Sequence, residues 1–491
     1  MQHNSIIAAI TNKFPYEPTG DQKLLIRHLA SFICDSDPNS LFILKGYAGT
    51  GKTTIVSSLV NSLPAVNARA VLLAPTGRAA KVLAGYAGQQ AFTIHKKIYR
   101  LQTSGEGNLQ IVLQPNKCRD TFFVTDEASM IAWGNETNRG SLFGGKNLLD
   151  DLLQYVYNGH NCRLILIGDT AQLPPVKALE SPALNKVFLE KRYHINISEY
   201  ELKQVVRQAK DSGILFNATR LRAMLSSGKT GFPKLTTEHF EDVVRLQGQE
   251  AADQVEDAFI SQGTEEALMI CHSNKRAYLY NQHIRQRVLF LEDKINAGDL
   301  LMVVKNNYFW LPDESEAGFI ANGDIIELKR ILRTEELYGF HFADVTARLT
   351  DYPDEPELEV KILLDTLSSN SPAITQKDAT RLYDAVVADY DDIPNKRTRE
   401  ANVRKNPYLN ALQVKYAYAM TCHKAQGGQW KHVFVEMGYL QNKTPDTEYL
   451  RWLYTAITRG TDKIFLLNFN DDFFDERKAD NLPATCSTCG Q

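Results

Sequence analysis

The sequence has little net charge and no long apolar run. Its 491 residues contain 55 lysines and arginines against 58 aspartates and glutamates, which gives a formal net charge of −3. This balance excludes a polybasic clamp on nucleic acid, so any nucleic-acid site would be a restricted groove with few charges. Because no run approaches the ~18 apolar residues that a membrane-spanning helix needs, we expect no association with a membrane.

Cysteines are also few. The seven cysteines are an odd number, and five of them are scattered along the chain. Such usage indicates a reducing compartment, and the first residues lack the basic and apolar regions of a signal peptide, so we expect a cytoplasmic protein. Cys486 and Cys489 form a single CxxC without the second pair that a zinc site needs. We interpret residues 476–491 as an unstructured tail.

Short apolar runs alternate with helical patterns and predict two α/β domains in tandem. The runs that are typical of buried parallel strands are 41–44, 71–73, 121–124, 164–167, 268–270, 433–435 and 464–467. We expect the first domain to cover residues 1–96 and 121–200, and the second to cover 201–296 and 412–475. Two interruptions separate these parts, a short hairpin pattern over 97–120 and a longer insert over 297–411. The insert begins with candidate strands and ends in a polar, helical pattern.

A glycine-rich motif follows the first predicted strand. Residues 46–53 read GYAGTGKT and fit the pattern GxxxxGK followed by Ser or Thr. In this pattern the glycines let backbone N–H groups point at phosphate oxygens, Lys52 supplies charge to the phosphates, and the Thr53 hydroxyl is placed for Mg²⁺. The predicted nucleotide-binding residues of this motif are Gly46, Gly49, Thr50, Gly51, Lys52, Thr53 and Thr54.

Two carboxylates end the strand that begins at residue 121. After a phosphate-binding loop, Asp126 is a candidate ligand for Mg²⁺, and Glu127 is a candidate for polarising the attacking water. These two motifs predict hydrolysis of a nucleoside triphosphate such as ATP with Mg²⁺. By themselves they do not indicate what the reaction drives.

Further segments occur in a fixed order along the chain. They are GDQ at 20–22, APTGRAA at 74–80, TIHK at 93–96, GDTAQLPP at 168–175, VRQ at 206–208, TCHKAQGG at 421–428 and YTAITRG at 454–460. Together with the phosphate-binding loop they resemble the motif series of superfamily 1 helicases, and in particular the RecD-like and Dda-like branch, superfamily 1B. The resemblance implies an α/β fold with two tandem RecA-like domains, a β-hairpin insertion that splits duplex and an SH3-like inserted β domain.

The resemblance also implies roles for individual residues around the nucleotide. Gln22 corresponds to the glutamine that reads adenine, and an amide suits this task because it can both donate and accept hydrogen bonds. Gln172 resembles the glutamine that senses the γ-phosphate. Arg207 and Arg459 resemble the two arginines that reach the γ-phosphate from the second domain, where a guanidinium can bind phosphate oxygens bidentately.

For nucleic acid, the resemblance points to small polar groups that can make and release phosphate contacts. The predicted DNA-binding residues are Pro75, Thr76, His95, Asn274, Thr421 and His423. Trp430 and Tyr308 are aromatic candidates for stacking on bases. Hydroxyls and backbone N–H groups rather than lysine clamps agree with the near-neutral charge.

The resemblance implies ATP-dependent translocation on single-stranded DNA, 5′ to 3′, with unwinding of duplex. We expect the chain to be a monomer that binds single-stranded DNA and junctions between duplex and single strand, with partners in DNA repair or recombination. Two alternatives stay open at this point, an RNA helicase of the same superfamily and an ATP-driven switch or translocase that binds nucleic acid without unwinding it. No nuclease-like cluster of carboxylates and lysine is evident in the sequence.

Overall fold

The computed structural model describes residues 2–475 apart from 104–108, 135–146, 207–210, 313–314, 316–317, 370, 372 and 441–442. The strands, numbered in chain order, are β1 Ser40–Gly46, β2 Arg69–Ala74, β3 Ala91–Thr93, β4 Tyr99–Thr103, β5 Leu109–Leu113, β6 Arg119–Thr125, β7 His160–Gly168, β8 Asn196–Leu202, β9 Val243–Leu246, β10 Ala267–Cys271, β11 Leu300–Val303, β12 Ile325–Leu337, β13 Phe340–Leu349, β14 Leu358–Leu363, β15 Leu412–Tyr416, β16 Ala419–Thr421, β17 Trp430–Glu436 and β18 Gly460–Leu467. The tail with Cys486 and Cys489 lies outside the described residues.

The α-helices, also in chain order, are α1 Gln2–Asn12, α2 Gly20–Cys34, α3 Lys52–Ser62, α4 Gly77–Ala87, α5 Ile94–Ile98, α6 Leu148–Tyr157, α7 Lys186–Tyr193, α8 Gly213–Ser226, α9 Gly248–Ser261, α10 Asn274–His283, α11 Asp365–Ser368, α12 Gln376–Ala388, α13 Lys396–Arg404, α14 Cys422–Ala425 and α15 Thr447–Ile457. In the part of the chain that the structure describes, none of these helices has the length and apolar character needed to cross a membrane.

The first domain is built on a parallel sheet with the strand order β3-β2-β6-β7-β1-β8. Alternate residues of its central strands enter two different cores. Phe42 and Leu44 belong to one buried cluster, whereas Leu41 and Ile43 belong to another on the opposite face. Because side chains alternate across a strand, helices cover both faces, and this explains the continuous apolar runs in the sequence.

The second domain contains a smaller parallel sheet with the order β16-β10-β17-β18-β9. All the predicted strand runs lie within strands of one of the two parallel sheets, so the two-domain α/β prediction is confirmed. The apolar runs in the sequence do not predict β3, β8, β9 and β16 of these two sheets. Three residues in β3 and β16 are too few to give a pattern, and β8 alternates charged and apolar residues.

The two predicted interruptions form separate β structures. Strands β4 and β5 pair antiparallel as a two-stranded hairpin, whose tip at 104–108 lies outside the described residues. Strands β11 to β15 close into a barrel, which confirms the expected small inserted β domain. One boundary was wrong, because β15 begins at Leu412 and pairs with β11 across the barrel. Residues 412–416 therefore belong to the barrel and not to the second sheet.

Candidate active site in the cleft between the domains

The glycine-rich loop connects β1 to α3 and has the backbone curl that its glycines permit. Gly49 and Gly51 have φ of +74° and +80°, in the left-handed region that favours glycine. A Cβ on Gly51 would lie 2.5 Å from Gln22 Nε2, and one on Gly46 would lie 2.9 Å from Lys52 Cγ. The glycines therefore let Gln22 and Lys52 lie directly against the loop.

Lys52 lies over this loop at the N-terminus of α3. Its Nζ donates to the Tyr47 carbonyl at 2.9 Å, and the Thr50 hydroxyl donates to the same oxygen at 2.8 Å. Thr53 and Thr54 follow in the first turn of α3, where N–H groups without intrahelical partners favour anions. The arrangement is suited to holding a chain of phosphates.

Gln22 is 2% exposed, and its amide makes two contacts. Its Oε1 accepts from the Thr19 N–H at 2.9 Å, which caps α2, and its Nε2 donates to the Thr50 carbonyl at 3.1 Å. The structure therefore places Gln22 against the phosphate-binding loop. Its role in reading adenine stays a prediction, for which one Nε2 hydrogen remains.

The paired carboxylates lie at the end of β6. Burial, together with repulsion from Glu127, raises the pKa of Asp126 to about 6. Glu127 has φ of +50°, and its backbone N–H donates to Asp126 Oδ1 at 2.8 Å. A non-glycine residue in this left-handed conformation is strained. The conformation turns the chain sharply after the strand.

Gln172, Glu127 and Arg459 come together across the cleft between the domains. The Gln172 amide lies between the other two, with its nitrogen donating to Glu127 Oε2 at 3.3 Å and its oxygen accepting from Arg459 Nη2 at 3.2 Å; this orientation is assigned from the hydrogen bonding. Arg459 Nη1 lies 4.0 Å from Glu127 Oε1. Arg459 is 4% exposed and is held by the carbonyls of Thr455 and Gly428.

The second predicted arginine, Arg207, lies outside the described residues. The chain just before it reaches the phosphate-binding loop, because the Val206 N–H donates to the Gly49 carbonyl at 3.0 Å. The role of Arg207 stays a prediction.

Two residues without a predicted role, Tyr454 and Arg222, also contact this loop. Tyr454 on α15 hydrogen-bonds both Asp169 and the Ala48 N–H, and Arg222 on α8 stacks on the Tyr47 ring with 4.5 Å from Cζ to the ring centre. Tyr454 lies in a recognisable motif. Nothing in the spacing of the sequence, however, indicates which side chain of a helix will face the other domain.

Several predicted DNA-binding residues lie near the meeting of the two domains. Thr76 caps α4 by accepting from the Ala79 N–H at 3.2 Å, and its hydroxyl lies 3.2 Å from where a Cβ on Gly427 would be. Pro75 precedes it. Thr421 and Asn274 line a cleft between the second domain and the barrel, together with Lys415 and Lys424. His423 lies beside them in α14, and burial lowers its pKa.

His95 lies apart from this group, beside the β-hairpin. Its ring centre lies 5.8 Å from that of Tyr99 and 6.3 Å from that of Phe319. Burial lowers the pKa of His95 to about 4, so the ring is neutral near pH 7. It can therefore contact nucleic acid as a neutral group but not as a cation.

The prediction that Trp430 stacks on bases is wrong. Trp430 is 4% exposed, and the Arg78 guanidinium covers its ring at 4.1 Å. Its apolar surface and its position at the start of a buried strand place it in the core. The Tyr308 ring packs against Phe319, with 4.8 Å between ring centres. Its stacking on bases stays a prediction.

A phosphate-binding loop and two carboxylates on one parallel sheet face an arginine supplied by a second parallel sheet. This arrangement defines a class of protein, the P-loop ATPases with two RecA-like domains and a nucleotide site in the cleft between them.

Within this class, parts of the chain are similar to known helicases. Residues 19–251 match the family described as AAA domain, and residues 416–467 match the UvrD-like helicase C-terminal domain. The chain is 31% identical over 161 residues to the ATP-dependent RecD2 DNA helicase of Deinococcus radiodurans, covering 33% of this chain and 20% of that protein. It is 29% identical over 199 residues to the ATP-dependent DNA helicase dda of Enterobacteria phage T4, covering 40% of each. These similarities support the resemblance of the chain to the superfamily 1B helicases.

The fold was also compared with solved structures. The crystal structure of Pif1 helicase from Bacteroides in complex with ADP-AlF3 and ssDNA is similar at a TM-score of 0.46 and 14% identity, with 94% of each chain covered.

Proposed function

We propose that this chain is an ATP-dependent DNA helicase that moves 5′ to 3′ along single-stranded DNA and unwinds duplex. The observation that carries the proposal is the contact of Glu127, Gln172 and Arg459 across the cleft. It joins a hydrolytic carboxylate of the first domain to a cation of the second. The RecD2 and dda relatives are named as DNA helicases, which supports DNA as the nucleic acid.

The arrangement supports a division of roles in hydrolysis of ATP. Lys52 and the loop N–H groups bind the phosphates, and Glu127 orients and polarises the water that attacks the γ-phosphate. Arg459 stabilises the charge that develops on the transferred phosphoryl group, as an arginine finger does. Gln172 contacts both side chains, so it can transmit the state of the phosphate to the second domain. Arg207 is proposed as a second arginine at the γ-phosphate.

The residues around Asp126 fit a Mg²⁺ ion that arrives with the nucleotide. Burial and a like-charged neighbour raise the pKa of Asp126, and a divalent cation would relieve that repulsion. Among the described residues no cluster of three or more His, Cys, Asp or Glu side chains forms a metal site. Asp126 and Thr53 would therefore hold the ion together with phosphate oxygens, as is usual for Mg²⁺. When bound, the ion neutralises charge on the phosphates.

Movement along DNA follows from the position of the arginine on the second domain. ATP favours closure of the cleft because Arg459 then meets the phosphates, and hydrolysis removes that attraction. Thr76 and Pro75 on one domain, and Thr421, His423 and Asn274 on the other, are proposed to hold phosphates of the strand, with His95 beside the hairpin. The hairpin β4–β5 is proposed to separate the duplex.

Tailed duplexes test the function directly. DNA duplexes carrying only a 5′ or only a 3′ single-stranded tail are incubated with the full chain, with and without ATP, and Lys52→Ala is the inactive control. We expect ATP-dependent unwinding of the 5′-tailed duplex. Preference for the 3′ tail contradicts the direction, and ATPase stimulated by single strands without any unwinding favours a translocase or switch. An RNA duplex with the same tails distinguishes the RNA alternative, because only contacts to the 2′-OH separate the two.

A further inference from the structure

One tyrosine of the second domain makes a direct contact with the phosphate-binding loop. Tyr454 lies in α15 and is 1% exposed. Its hydroxyl donates to Asp169 Oδ2 at 2.6 Å and accepts from the Ala48 N–H at 2.9 Å. Ala48 belongs to the loop after β1, and Asp169 follows the last residue of β7. A single hydroxyl group therefore connects the second domain to two segments of the nucleotide site.

Neighbouring contacts hold the same helix in place. The Leu173 N–H donates to the Thr455 hydroxyl at 2.9 Å, and Gln426 Nε2 donates to the Leu173 carbonyl at 2.8 Å. The first bond fixes α15, and the second fixes the residue after α14, against the segment that carries Asp169 and Gln172. Neither bond reaches the phosphate-binding loop, whereas the Tyr454 hydroxyl accepts a hydrogen bond from the Ala48 N–H within it.

Tyr454 lies in the last turn of α15, and Arg459 follows two residues after the end of that helix. The Thr458 hydroxyl donates to the Tyr454 carbonyl at 2.9 Å, and Arg459 Nε donates to the Thr455 carbonyl at 3.0 Å. Because these bonds make the end of α15 and the arginine one rigid unit, a shift of the tyrosine hydroxyl also shifts the guanidinium relative to Glu127.

The electrostatic environment keeps this hydroxyl a neutral donor. Burial, and then the charge of Asp169, raise the pKa of Tyr454 well above its ordinary value. Burial also raises the pKa of Asp169, and the charge of Lys52 opposes that effect. The Ala48 N–H belongs to a loop whose backbone N–H groups bind phosphate. Both a bound nucleotide and the Tyr454 hydroxyl therefore accept hydrogen bonds from the N–H groups of this loop.

We propose that Tyr454 is a positioning residue that couples the occupancy of the phosphate-binding loop to the placement of Arg459. It does not bind the transferred phosphate. Its hydroxyl fixes the position of the phosphate-binding loop relative to the second domain. The end of α15 then sets the position of Arg459 relative to that loop. The inference rests on the proposed function, because ATP hydrolysis is its readout.

The test compares Tyr454→Phe with Tyr449→Phe. Tyr449 is a matched control because it is also buried on α15, but its hydroxyl donates to the Met437 carbonyl within the second domain. For each protein we measure kcat and KM of ATP hydrolysis with saturating single-stranded DNA, the Kd of a fluorescent ADP analogue, and the melting temperature. For Tyr454→Phe we expect kcat to fall at least tenfold with the ADP Kd within threefold of wild type. For Tyr449→Phe we expect kcat within twofold of wild type.

A kcat for Tyr454→Phe within twofold of wild type overturns the proposal, and so does an equal fall in Tyr449→Phe. If Tyr454→Phe melts below the assay temperature, kcat is measured at a reduced temperature in a double-mutant cycle. The cycle compares Tyr454→Phe, Asp169→Asn and the double variant with wild type. Non-additive effects on kcat support the coupling, and additive effects contradict it. A wild-type chain without DNA-stimulated ATPase would instead contradict the proposed function, which separates the two failures.

Discussion

Arg459 is buried, yet it carries a charge that is directed toward the other domain. Two backbone carbonyls and the Thr458 hydroxyl hold its guanidinium, and the nearest carboxylate oxygen, on Glu127, lies 4.0 Å away. A buried guanidinium without a close carboxylate partner is costly. This cost is offset when a phosphate of the bound nucleotide pairs with the guanidinium.

We predict that Arg459→Ala lowers the rate of ATP hydrolysis by about 10³-fold, in the range that arginine fingers contribute. The Kd for ADP should change less than threefold, because the loop and Lys52 hold the phosphates that ADP retains. Steady-state hydrolysis and titration with a fluorescent ADP analogue measure the two effects. Arg451→Ala is the control in the helix that precedes Arg459, since Arg451 contacts the Leu179 carbonyl instead. A weakened nucleotide affinity with unchanged kcat would argue against the finger role.

Among the elements, the phosphate-binding loop and α4 use glycine for different reasons. Gly51 combines a positive φ with a side chain pressed against it, whereas a Cβ added to Gly85 in α4 would meet nothing within 4 Å. At Gly77 a Cβ would lie 2.8 Å from Asp324 Oδ1 of the barrel segment. Glycine is therefore required by conformation at the loop and by close packing at the start of α4, and by neither at Gly85.

Replacing glycine by alanine should impair the phosphate-binding loop but stabilise α4. Gly51→Ala should weaken ATP binding at least tenfold, because a left-handed alanine costs about 1–2 kcal/mol and its Cβ displaces Gln22. Gly85→Ala should raise the unfolding free energy by about 0.5–1 kcal/mol, the usual difference in helix propensity, and leave ATP binding unchanged. Nucleotide titration and urea unfolding measure these quantities. Normal binding in Gly51→Ala would contradict the geometry of the loop.

The start of α4 also predicts a pH dependence. Burial raises the pKa of Asp324 from 3.8 to about 7, with Asp351 adding to the effect and the Ala321 N–H opposing it. An acid whose pKa is raised on folding stabilises the fold while it is protonated, so this contribution falls as the pH rises from about 4 to 7. Between pH 5 and 8 the loss is about 2–3 kcal/mol at about 1.4 kcal/mol per pKa unit.

The measurement is urea unfolding of wild type and Asp324→Asn across this pH range. The variant keeps a neutral side chain of similar size, so the difference in unfolding free energy between the two proteins should change with pH in favour of the variant at pH 8. A constant difference from pH 5 to 8 would show that Asp324 does not titrate in this range.

At the scale of the whole molecule, a buried ion pair joins the barrel to the second domain. Arg285 and Asp299 are 2% and 0% exposed in their side chains, and two nitrogens of Arg285 each donate to a different Asp299 oxygen at 2.8 Å. The Tyr418 hydroxyl also donates to Asp299, at 2.9 Å, and accepts from the Leu300 N–H at 3.1 Å. The chain leaves and re-enters the second domain at this network.

We predict that Asp299→Asn lowers the unfolding free energy by about 3–5 kcal/mol, because it leaves the Arg285 charge buried without a carboxylate. Urea unfolding followed by fluorescence measures the change. The control is Glu17→Gln, which breaks the exposed pair with Lys23 and should change the unfolding free energy far less, because solvent screens an exposed pair. A similar small change in both variants would indicate that the pair does not anchor the barrel.

The sequence by itself determined the two parallel sheets, the phosphate-binding loop and the resemblance to superfamily 1B helicases, because continuous apolar strands and a glycine pattern with a lysine are local signals. It also determined Glu127, Gln172 and Arg459 as candidates through a shared order of motifs. Only the tertiary structure decided which side chains meet. It brought Gln172 between the other two, covered Trp430 with Arg78, added residues 412–416 to the barrel and placed Tyr454 on the loop. These contacts join residues that are far apart in the chain, and neither spacing nor composition specifies how two domains pack together.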